Sequence, residues 1–433
     1  MHPTVRAWVG HRARSRERVR HRRVAITGLG IVSPIGVGVE AFWQSALSGR
    51  SGIDYISQFD CSRLPPELRI AGEVKDFNAN DWMGGMFGRM AARFSHFAVA
   101  ASRMAYRDSG LHEAAIPPAG IRVAIGSAMS GLVHIHEKTF TAFLRGERVV
   151  PWTILEYPVH AATSHVTAEV GAHGDTASFA TGCCAGLDAI GWAMDRVQQG
   201  APMAVAGGAE APLSPYSLTA FQASGALARW DGPPAQASRP FDRRRSGFVL
   251  AEGAATIVIE DEQLALDRGA RIHARLLGFG CASEGGELRT VDESGEAAAR
   301  AMAIALRRAK LTPEDIDWVC AHGNSMVNYD AAETAALKRV LGSRAWSVPV
   351  SSIKSMCGHA LGAAGPMQVV AACLAIRDGA VPPTINYEER DPACDLDYVP
   401  NRARCARIRN VLVHAHSIGG THMAVVVGAP SGL

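Results

Sequence analysis

Short apolar runs alternate with longer amphipathic stretches along this chain of 433 residues. The short runs have the length and the flanking turn residues of buried strands, and the longer stretches repeat apolar residues at helical spacing. The pattern predicts strands at residues 24–27, 121–125, 203–206, 255–259, 316–320 and 423–427. It also predicts helices, two of them at residues 91–107 and 297–308. This alternation predicts the α/β class.

The order of elements in the first half of the chain returns in the second half. A helix at 91–111 precedes a strand and a loop, and a helix at 294–311 precedes the same pair. Residues 178–200 and 351–379 each join a short strand, a turn of small residues, a helix and a terminal glycine. We therefore predict a duplicated α/β unit. The expected division is a basic tail, a first half and a second half, at residues 1–22, 23–270 and 271–433.

Composition agrees with a folded chain and limits its partners. The chain is 48% hydrophobic and 20% charged, with a net charge of only +3. Positive charge is concentrated near the amino terminus, at Arg6, Arg12, Arg14, Arg16, Arg18, Arg20, Arg22 and Arg23. Because few apolar residues accompany these arginines, we expect a disordered tail, with binding of an anionic partner as the alternative. No basic stripe elsewhere is interleaved with aromatic residues, so nucleic-acid binding is not expected.

The cellular location follows from apolar runs and cysteines. No run approaches the roughly 18 apolar residues that span a bilayer, and the amino terminus lacks the apolar core of a secretory signal. The nine cysteines are odd in number and form no CxxC pairs. This pattern favours a reduced compartment over a disulfide framework. We expect a cytoplasmic protein with no membrane contact and no structural metal.

Cys183 is the candidate nucleophile. It lies in the segment GCCAG, between an apolar strand and an amphipathic helix. Such a turn lifts a side chain clear of the sheet, and the flanking glycines permit the sharp bend. Unpaired N–H groups and partial positive charge at the start of the helix are expected to lower the pKa of the thiol. The neighbouring Cys184 is interpreted as small-residue packing. Taken alone, Cys183 also fits a buried structural cysteine.

Two histidines change this interpretation. His322 follows a strand, at the edge where α/β sheets gather their functional residues. Lys354 and His359 lie in the segment that corresponds, by the repeat, to the Cys183 turn. Pseudo-symmetric halves are therefore expected to bring Cys183 and His359 face to face. Each histidine alone is more often structural, but the three residues at these places predict a catalytic site.

These segments together resemble the β-ketoacyl-acyl carrier protein synthases, which are condensing enzymes of the thiolase superfamily in fatty-acid and type II polyketide assembly. The resemblance runs from about Arg23 to Gly428. It includes RRVAITGLGIVSPIG at the start, GGAEAPLSP at 207–215, RPFDRRRSGFVLAEGAA at 239–255 and the three catalytic segments. It implies the thiolase-like duplicated α/β fold, with five layers in the order α-β-α-β-α.

The resemblance also implies a ping-pong Claisen condensation. Cys183 would take an acyl group from the phosphopantetheine arm of an acyl carrier protein (ACP). His322 and His359 would assist decarboxylation of malonyl-ACP, and Lys354 would orient the histidines. The backbone N–H groups of Cys183 and Ile418 would hold the thioester oxyanion. No metal or dissociable cofactor is implied. The family partners are ACP and a second subunit, either another copy or a chain-length-factor-like chain.

The glycine-rich gate departs from the family sequence. The family reads asparagine, serine, phenylalanine, glycine, phenylalanine, glycine, glycine, threonine, asparagine, whereas this chain reads His414, Ala415, His416, Ser417, Ile418, Gly419, Gly420, Thr421, His422. Both gate aromatics are absent, so control of acyl-chain access is expected to differ. The three histidines suggest a metal by number alone. Because no carboxylate accompanies them in the loop, we expect no metal there.

Two further departures lie near the catalytic histidines. Asn324 and Met326 stand where the family carries threonines that touch the pantetheine arm. Gln368 replaces an acidic residue nine positions beyond His359, which removes a charge and is expected to alter histidine protonation.

Other functions fit the pattern less well. A thiolase requires a second catalytic cysteine in the gate loop, and residues 413–422 contain none. Synthases that prime directly from CoA carry an asparagine where His359 stands. A chain-length subunit without catalysis usually lacks the nucleophile that Cys183 supplies. Two alternatives stay open. The first is an acyltransferase that moves the acyl group to oxygen or nitrogen without decarboxylation, because the gate and pantetheine loops are altered. The second is a structural partner subunit of a ketosynthase heterodimer.

Overall fold

The computed structural model of the protein describes residues 22–114, 116–149, 151–288 and 290–430. Most of the basic tail, residues 1–21, lies outside the described residues. The described chain begins at Arg22, whose guanidinium pairs with Asp261 at 3.1 Å.

Ten strands and the short β2 make one 11-stranded sheet, and two short strand pairs lie apart from it. The strands are β1 (Val24–Ser33), β2 (Gly36–Val37), β3 (Ile53–Tyr55), β4 (Ile70–Gly72), β5 (Ile121–Gly126), β6 (Thr176–Phe179), β7 (Met203–Glu210), β8 (Gly253–Asp261), β9 (Ala274–Ser283), β10 (Trp318–Cys320), β11 (Val350–Ser351), β12 (Ala380–Val381), β13 (Arg404–Cys405), β14 (Asn410–Ser417) and β15 (Thr421–Gly428).

The large sheet consists of two halves with one topology. In chain order, the first half is β1, β5, β6, β7 and β8, and the second is β9, β10, β11, β14 and β15. In each half the first strand pairs antiparallel with the fifth and the fifth antiparallel with the fourth. The fourth then pairs parallel with the second, and the second parallel with the third. The halves join edge to edge through β1 and β9. The predicted duplication is therefore present in the strand order.

Helices cover both halves and fill the space between them. They are α1 (Val39–Leu47), α2 (Gly85–Met90), α3 (Arg93–Asp108), α4 (Leu132–His134), α5 (Thr141–Leu144), α6 (Thr153–Glu156), α7 (His160–Glu169), α8 (Ala185–Gln198), α9 (Pro215–Ala223), α10 (Glu262–Asp267), α11 (Glu296–Ala309), α12 (Val327–Leu341), α13 (Lys354–Cys357) and α14 (Ala364–Asp378). None of the helices in the described part of the chain combines the length and the apolar character that crossing a membrane requires.

Five layers result from how these helices pack. α8 and α14 lie between the two halves of the sheet and share one apolar core with both. They approach closely because Gly186 faces Pro366, and Gly365 faces Leu187, with no room for a Cβ. α3 and α7 cover the outer face of the first half, and α11 and α12 cover that of the second. The α-β-α-β-α order implied by the resemblance is confirmed.

Matching glycines in β1 and β9 let an outer helix lie close on each half. A Cβ on Gly28 would lie 2.0 Å from the carbonyl oxygen of Ala105 in α3. One on Gly278 would lie 2.1 Å from that of Ala305 in α11. The GLG run at residues 28–30 thus serves helix packing. Because glycines interrupt its apolar residues, the ten-residue β9 was not predicted from the apolar pattern.

Candidate active site

Cys183 lies where the first half of the sheet meets the central helices. β6 ends at Phe179, one 3₁₀ turn covers Gly182–Cys184, and α8 begins directly after it. Gly182 has φ of +59°, a conformation that glycine adopts without strain. Cys183 is buried in an apolar cluster; its other members include Leu213, Leu218, Phe248, Leu250 and Leu361. The thiol is therefore surrounded by side chains that suit a hydrocarbon chain.

His359 lies beside this thiol. Its Nε2 is 3.2 Å from Cys183 Sγ, within hydrogen-bond reach for a sulfur atom. The backbone N–H of His359 donates to Val249 at 2.8 Å, which fixes the segment next to β8. The equivalence of the two central turns predicts this contact, and the structure places the two residues together.

His322 completes the trio from the end of β10. Its ring is perpendicular to that of His359, with 5.2 Å between centroids. His322 Nδ1 accepts the backbone N–H of His416 at 3.2 Å, so a neutral ring carries its proton on Nε2. That Nε2 is buried and has no hydrogen-bond partner among the described residues. It is therefore a donor available to a substrate oxygen.

His322 and His359 are both held neutral. Burial, followed by the charge of Lys354, places the pKa of His322 and of His359 well below the usual value. A neutral imidazole with a free N–H can donate a hydrogen bond to a developing enolate, and a neutral ring can also accept a thiol proton. The pair is thus suited to acid–base work near neutral pH.

Lys354 acts on the loop that carries His322. Its Nζ donates to the carbonyl oxygen of His322 at 2.6 Å and to Gln368 Oε1 at 3.3 Å. Burial lowers the pKa of Lys354. The lysine therefore holds the backbone behind His322 and supplies the nearby positive charge.

Gln368 ties together three carbonyl groups beneath the site. Its Nε2 lies 2.9 Å from the oxygen of Cys320, 2.8 Å from that of Ala321 and 3.2 Å from that of His414. A carboxylate at this position has no proton to donate to them. The departure noted in the sequence thus exchanges a charge for an amide that both donates to carbonyls and accepts from Lys354.

Two buried acids on α12 fix the loop after His322, and neither was predicted from the sequence. Glu333 accepts the backbone N–H of His322 at 2.7 Å and that of Gly323 at 2.8 Å, and its Oε1 lies 2.6 Å from His414 Nδ1. Asp330 accepts the backbone N–H of Asn324 at 3.0 Å. The available signal was a pair of acids on one helical face directly after the His322 loop.

The two residues predicted to touch the pantetheine arm point in different directions. Asn324 is buried, and its Oδ1 accepts the backbone N–H of Met326 at 3.0 Å, so this oxygen is turned back into the loop. Met326 packs against the apolar cluster around Cys183. With Tyr329 and Gly225, it also lines a cavity of about 420 Å³. Of the two, Met326 is the one that borders open space.

The gate loop is the tight turn between β14 and β15. Gly420 N–H donates to the Ser417 carbonyl at 3.0 Å. Gly419 and Gly420 have φ of +95° and +80°, so both use conformations that favour glycine. Ile418 is 45% exposed at the tip. A smaller aliphatic side chain thus stands at the position of a gate aromatic.

Ser417 reaches into the position expected for the oxyanion. Its Oγ accepts the backbone N–H of Cys183 at 3.2 Å. A Cβ on Gly182 would lie 2.1 Å from the same oxygen. The family glycine at this position has no hydroxyl to place there. The substitution is visible in the gate sequence, but the contact with Cys183 could not be predicted from it.

The pKa of the Cys183 thiol differs from the value expected from the sequence. Burial raises the pKa of the Cys183 thiol to about 11, although Lys354 and the backbone N–H groups of Ile418 and Cys183 act in the opposite direction. The start of α8 lies in an apolar cluster, where the cost of burying a charge exceeds the favourable effect of the helix. The resting thiol is protonated, and His359 is the group placed to take its proton.

Cys184 is turned away from this chemistry. It is fully buried, and its Sγ contacts the carbonyl oxygen of Thr421 at 3.3 Å. Burial raises the pKa of this thiol well above the usual value. The contact agrees with a packing role.

A carboxylate accompanies the gate histidines, contrary to the reasoning from the loop sequence. Glu284, directly after β9, lies 2.8 Å from His422 Nε2 and 3.5 Å from His416 Nε2. The rings of these two histidines are 4.0 Å apart. Glu284 could not be predicted from the gate-loop sequence, because this residue follows β9, which is far from the loop along the chain but adjacent to it in the sheet.

Two family sequence patterns match the chain. The β-ketoacyl synthase N-terminal domain matches residues 21–265, and the β-ketoacyl synthase C-terminal domain matches residues 273–388.

Two curated relatives illustrate the range of similarity. The tetracenomycin polyketide synthase ketoacyl synthase alpha subunit of Streptomyces glaucescens is 41% identical over 421 residues, covering 94% of this chain and 97% of the relative. The 3-oxoacyl-[acyl-carrier-protein] synthase 2 of Coxiella burnetii is 39% identical, covering 94% and 98%.

Solved structures agree with this similarity. A chain from a type II polyketide synthase acyl-carrier protein in complex with its ketosynthase superposes with a TM-score of 0.88 at 34% identity, covering 95% of this chain and 100% of that chain. A chain of the ishigamide ketosynthase/chain length factor superposes with a TM-score of 0.88 at 32% identity, with the same coverage.

The fold is the thiolase-like fold of the condensing enzymes. The chain belongs to the β-ketoacyl synthase family, the condensing acyltransferases of fatty-acid and polyketide biosynthesis.

Proposed function

We propose that Cys183 carries a growing acyl chain, which His322 and His359 help to condense with malonyl-ACP. One observation carries the proposal: His359 Nε2 lies 3.2 Å from Cys183 Sγ, and beside it the His322 Nε2–H has no hydrogen-bond partner among the described residues. A thiol with an adjacent base and a second, unoccupied donor is the set that this reaction requires.

Acyl transfer uses the first pair. His359 accepts the thiol proton while Cys183 Sγ attacks the thioester carbonyl of acyl-ACP. The backbone N–H groups of Cys183 and Ile418 hold the oxyanion, so the Ser417 hydroxyl must leave the Cys183 N–H first. The bond between the carbonyl and the pantetheine sulfur breaks, and that sulfur takes the proton from His359. Acyl-Cys183 and free ACP thiol result.

Condensation uses both histidines. The bond between the malonyl methylene carbon and its carboxylate breaks, and carbon dioxide leaves. The electron pair of the broken bond stays on the methylene carbon and forms an enolate. The His322 Nε2–H donates to the enolate oxygen, and His359 supports the same charge. The enolate carbon attacks the acyl-Cys183 carbonyl, and the bond from that carbonyl to Sγ breaks. Cys183 leaves as a thiolate and takes up a proton from solvent through His359, and β-ketoacyl-ACP leaves.

The partner that brings the substrate is an acyl carrier protein. The cavity of about 420 Å³ beside Met326 and Tyr329 lies next to the apolar cluster around Cys183, where a phosphopantetheine arm would have to reach the thiol. Asn324 is expected to shape this loop. The acyl group arrives already attached to the arm, so the proposed reaction includes no further cofactor or metal.

A second protein chain is expected to complete the assembly. β6, which leads into the Cys183 turn, is an edge strand of the large sheet. Large apolar side chains are exposed in the segment that precedes it; they are Leu132, Phe140, Phe143, Leu144, Val149, Trp152, Ile154, Leu155 and Tyr157. An edge strand beside such a surface suits a homodimer or a heterodimer with a chain-length-factor-like subunit.

A second candidate function is acyl transfer to oxygen or nitrogen without decarboxylation. The observation that favours it is the altered gate, with Ile418 in place of an aromatic residue and the Ser417 hydroxyl on the Cys183 N–H. This enzyme would load Cys183 in the same way and then release the chain to a different acceptor.

The test follows both products of one reaction. Protein loaded with acyl-ACP is mixed with malonyl-ACP labelled in its free carboxylate, and carbon dioxide and β-ketoacyl-ACP are quantified together. We expect one carbon dioxide per β-ketoacyl-ACP, and a loss of about 100-fold or more in His322→Ala and His359→Ala. His165→Asn, remote from the site, is the control. Loading of Cys183 with no carbon dioxide, followed by transfer to an alcohol or amine, would establish the second candidate.

A further inference from the structure

The gate loop and β9 bring two histidines and a glutamate together beside the proposed active site. His416 lies near the end of β14, and His422 lies opposite it on β15. Glu284 directly follows β9, which pairs with β15 on its other side. The three residues thus come from three adjacent strands of the second half of the sheet.

Their donor atoms converge on one point. Glu284 Oε1 lies 2.8 Å from His422 Nε2 and 3.5 Å from His416 Nε2. One ligand atom from each of the three residues lies within 4.8 Å of the others. Donors around a tetrahedral zinc ion, at bond lengths of about 2.0–2.1 Å, are about 3.3 Å apart. Small side-chain rotations therefore bring the three atoms to coordination distance.

A buried and unsatisfied atom points to a missing ligand. His416 is 3% exposed, and its Nε2 has no hydrogen-bond partner among the described residues. The 3.5 Å separation from Glu284 is too long for a strong hydrogen bond. A buried polar nitrogen without a partner is costly, and a metal ion at the convergence point would satisfy it.

Backbone geometry leaves room for the carboxylate. A Cβ on Gly420 would lie 2.9 Å from Glu284 Cβ and 3.2 Å from its Cδ. The glutamate therefore passes directly over a glycine of the gate turn. Any side chain at residue 420 would push the carboxylate away from the histidines.

We propose that Glu284, His416 and His422 bind one divalent transition-metal ion, with Zn²⁺ as the best match. Two imidazoles and one carboxylate form a common zinc set, with a fourth position left for water. In the structure the His422 Nε2–H faces Glu284. Metal binding at Nε2 moves this proton to Nδ1 of the same ring, so the ring stays neutral and no other reactant is required.

The ion would hold the gate loop in place. Its ligands flank the turn that contains Ser417 and Ile418, and its third ligand anchors that turn to β9. His416 also donates its backbone N–H to His322 Nδ1 at 3.2 Å. A metal at this point would therefore fix the backbone that sets the His322 tautomer, without touching the reacting atoms.

Metal titration tests this assignment. Full-length protein without an affinity tag is treated with chelator, dialysed and titrated with Co²⁺ and then Zn²⁺. We expect one equivalent of Co²⁺ with visible d–d bands, no thiolate-to-cobalt charge-transfer band, and displacement by Zn²⁺. Glu284→Gln and His422→Asn should each weaken binding about 100-fold or more. His165→Asn is the matched control, because His165 pairs with Glu156 at 2.6 Å and, among the described residues, no third metal-ligating side chain groups with them.

Three results would overturn the site. They are the absence of saturable binding to the wild-type protein, a cobalt spectrum with thiolate bands, and equal affinity in His422→Asn and the wild type. Thermal unfolding shows whether each variant folds. If His422→Asn does not fold, the affinity of Glu284→Gln is compared with that of the wild type instead. This variant removes only the charge and one of the two carboxylate oxygens, and equal affinity would overturn the site.

Discussion

The hydroxyl oxygen of Ser417 lies 3.2 Å from the backbone nitrogen of Cys183 and accepts its N–H. That N–H is one of the two donors proposed to stabilise the thioester oxyanion. In the resting site the donor is therefore occupied by the protein itself, and the substrate carbonyl must displace the hydroxyl before the thiol reacts.

Removing this hydroxyl should speed acylation. One hydrogen bond contributes a net free energy of about 0.5–1.5 kcal/mol, which the substrate carbonyl must overcome to displace the hydroxyl. Ser417→Gly and Ser417→Ala should therefore load acyl groups about 3–10 times faster than the wild type. The rate is measured by intact-protein mass during reaction with acyl-ACP. Ser343→Ala, at an exposed serine in the 3₁₀ turn after α12, is the control. Slower loading in both variants would mean that the hydroxyl assists the reaction.

The protonated state of Cys183 predicts a steep pH profile for alkylation. Because burial raises the pKa of this thiol to about 11, the thiolate fraction should rise about tenfold per pH unit between pH 7 and 9. The rate of Cys183 alkylation by iodoacetamide, followed by peptide mass mapping, reports this fraction at each pH. Mapping separates Cys183 from exposed cysteines such as Cys405. A rate that does not change over this range would indicate a thiolate–imidazolium pair with His359.

Loss of the Gln368 amide should destabilise the protein. Gln368→Leu keeps a similar volume but leaves three carbonyl oxygens and Lys354 without this partner. Because unsatisfied buried groups cost about 1–3 kcal/mol each, we expect the free energy of unfolding to fall by at least about 2 kcal/mol. Urea unfolding measures the change, and Gln199→Leu on the surface is the control. An unfolding midpoint equal to that of the wild type would show that other groups satisfy the carbonyls.

Glu333 should matter for condensation more than for loading. Glu333→Gln places an NH₂ group among the N–H donors of His322, Gly323 and His414, so the His322 loop should shift. Because the proposed acylation step depends on His359, loading of Cys183 should stay within about threefold of the wild type. Carbon dioxide release from malonyl-ACP should fall about tenfold or more. Equal losses in both steps would assign Glu333 to general stability.

The repeat explains why the central contact was predictable. Two copies of one topology place equivalent turns against each other, so the resemblance of the Cys183 and His359 segments predicted their proximity before any distance was known. The strands β8 and β15 were predictable for a different reason, because their apolar residues form uninterrupted runs. β9 was not, because its glycines serve the packing of α11 and break the apolar pattern.

The remaining site features depend on neighbours that are distant in sequence. Glu284 joins the gate histidines only through the pairing of β9 with β15, and Ser417 reaches Cys183 only across the two halves. The pKa of Cys183 depends on a balance between burial and the start of α8, and sequence reveals only the second. Local motifs thus predicted the candidate reacting residues, whereas the electrostatic state of these residues required the three-dimensional surroundings.

The most direct measurement of the central claim is the intact mass of the protein after exposure to a panel of acyl-ACPs. It compares the wild type with Cys183→Ala and with Cys184→Ala, the adjacent buried thiol. We expect a mass gain of one acyl group in the wild type and in Cys184→Ala, and none in Cys183→Ala. An acyl group retained in Cys183→Ala, or lost in a folded Cys184→Ala, would contradict the assignment of Cys183 as the acyl carrier.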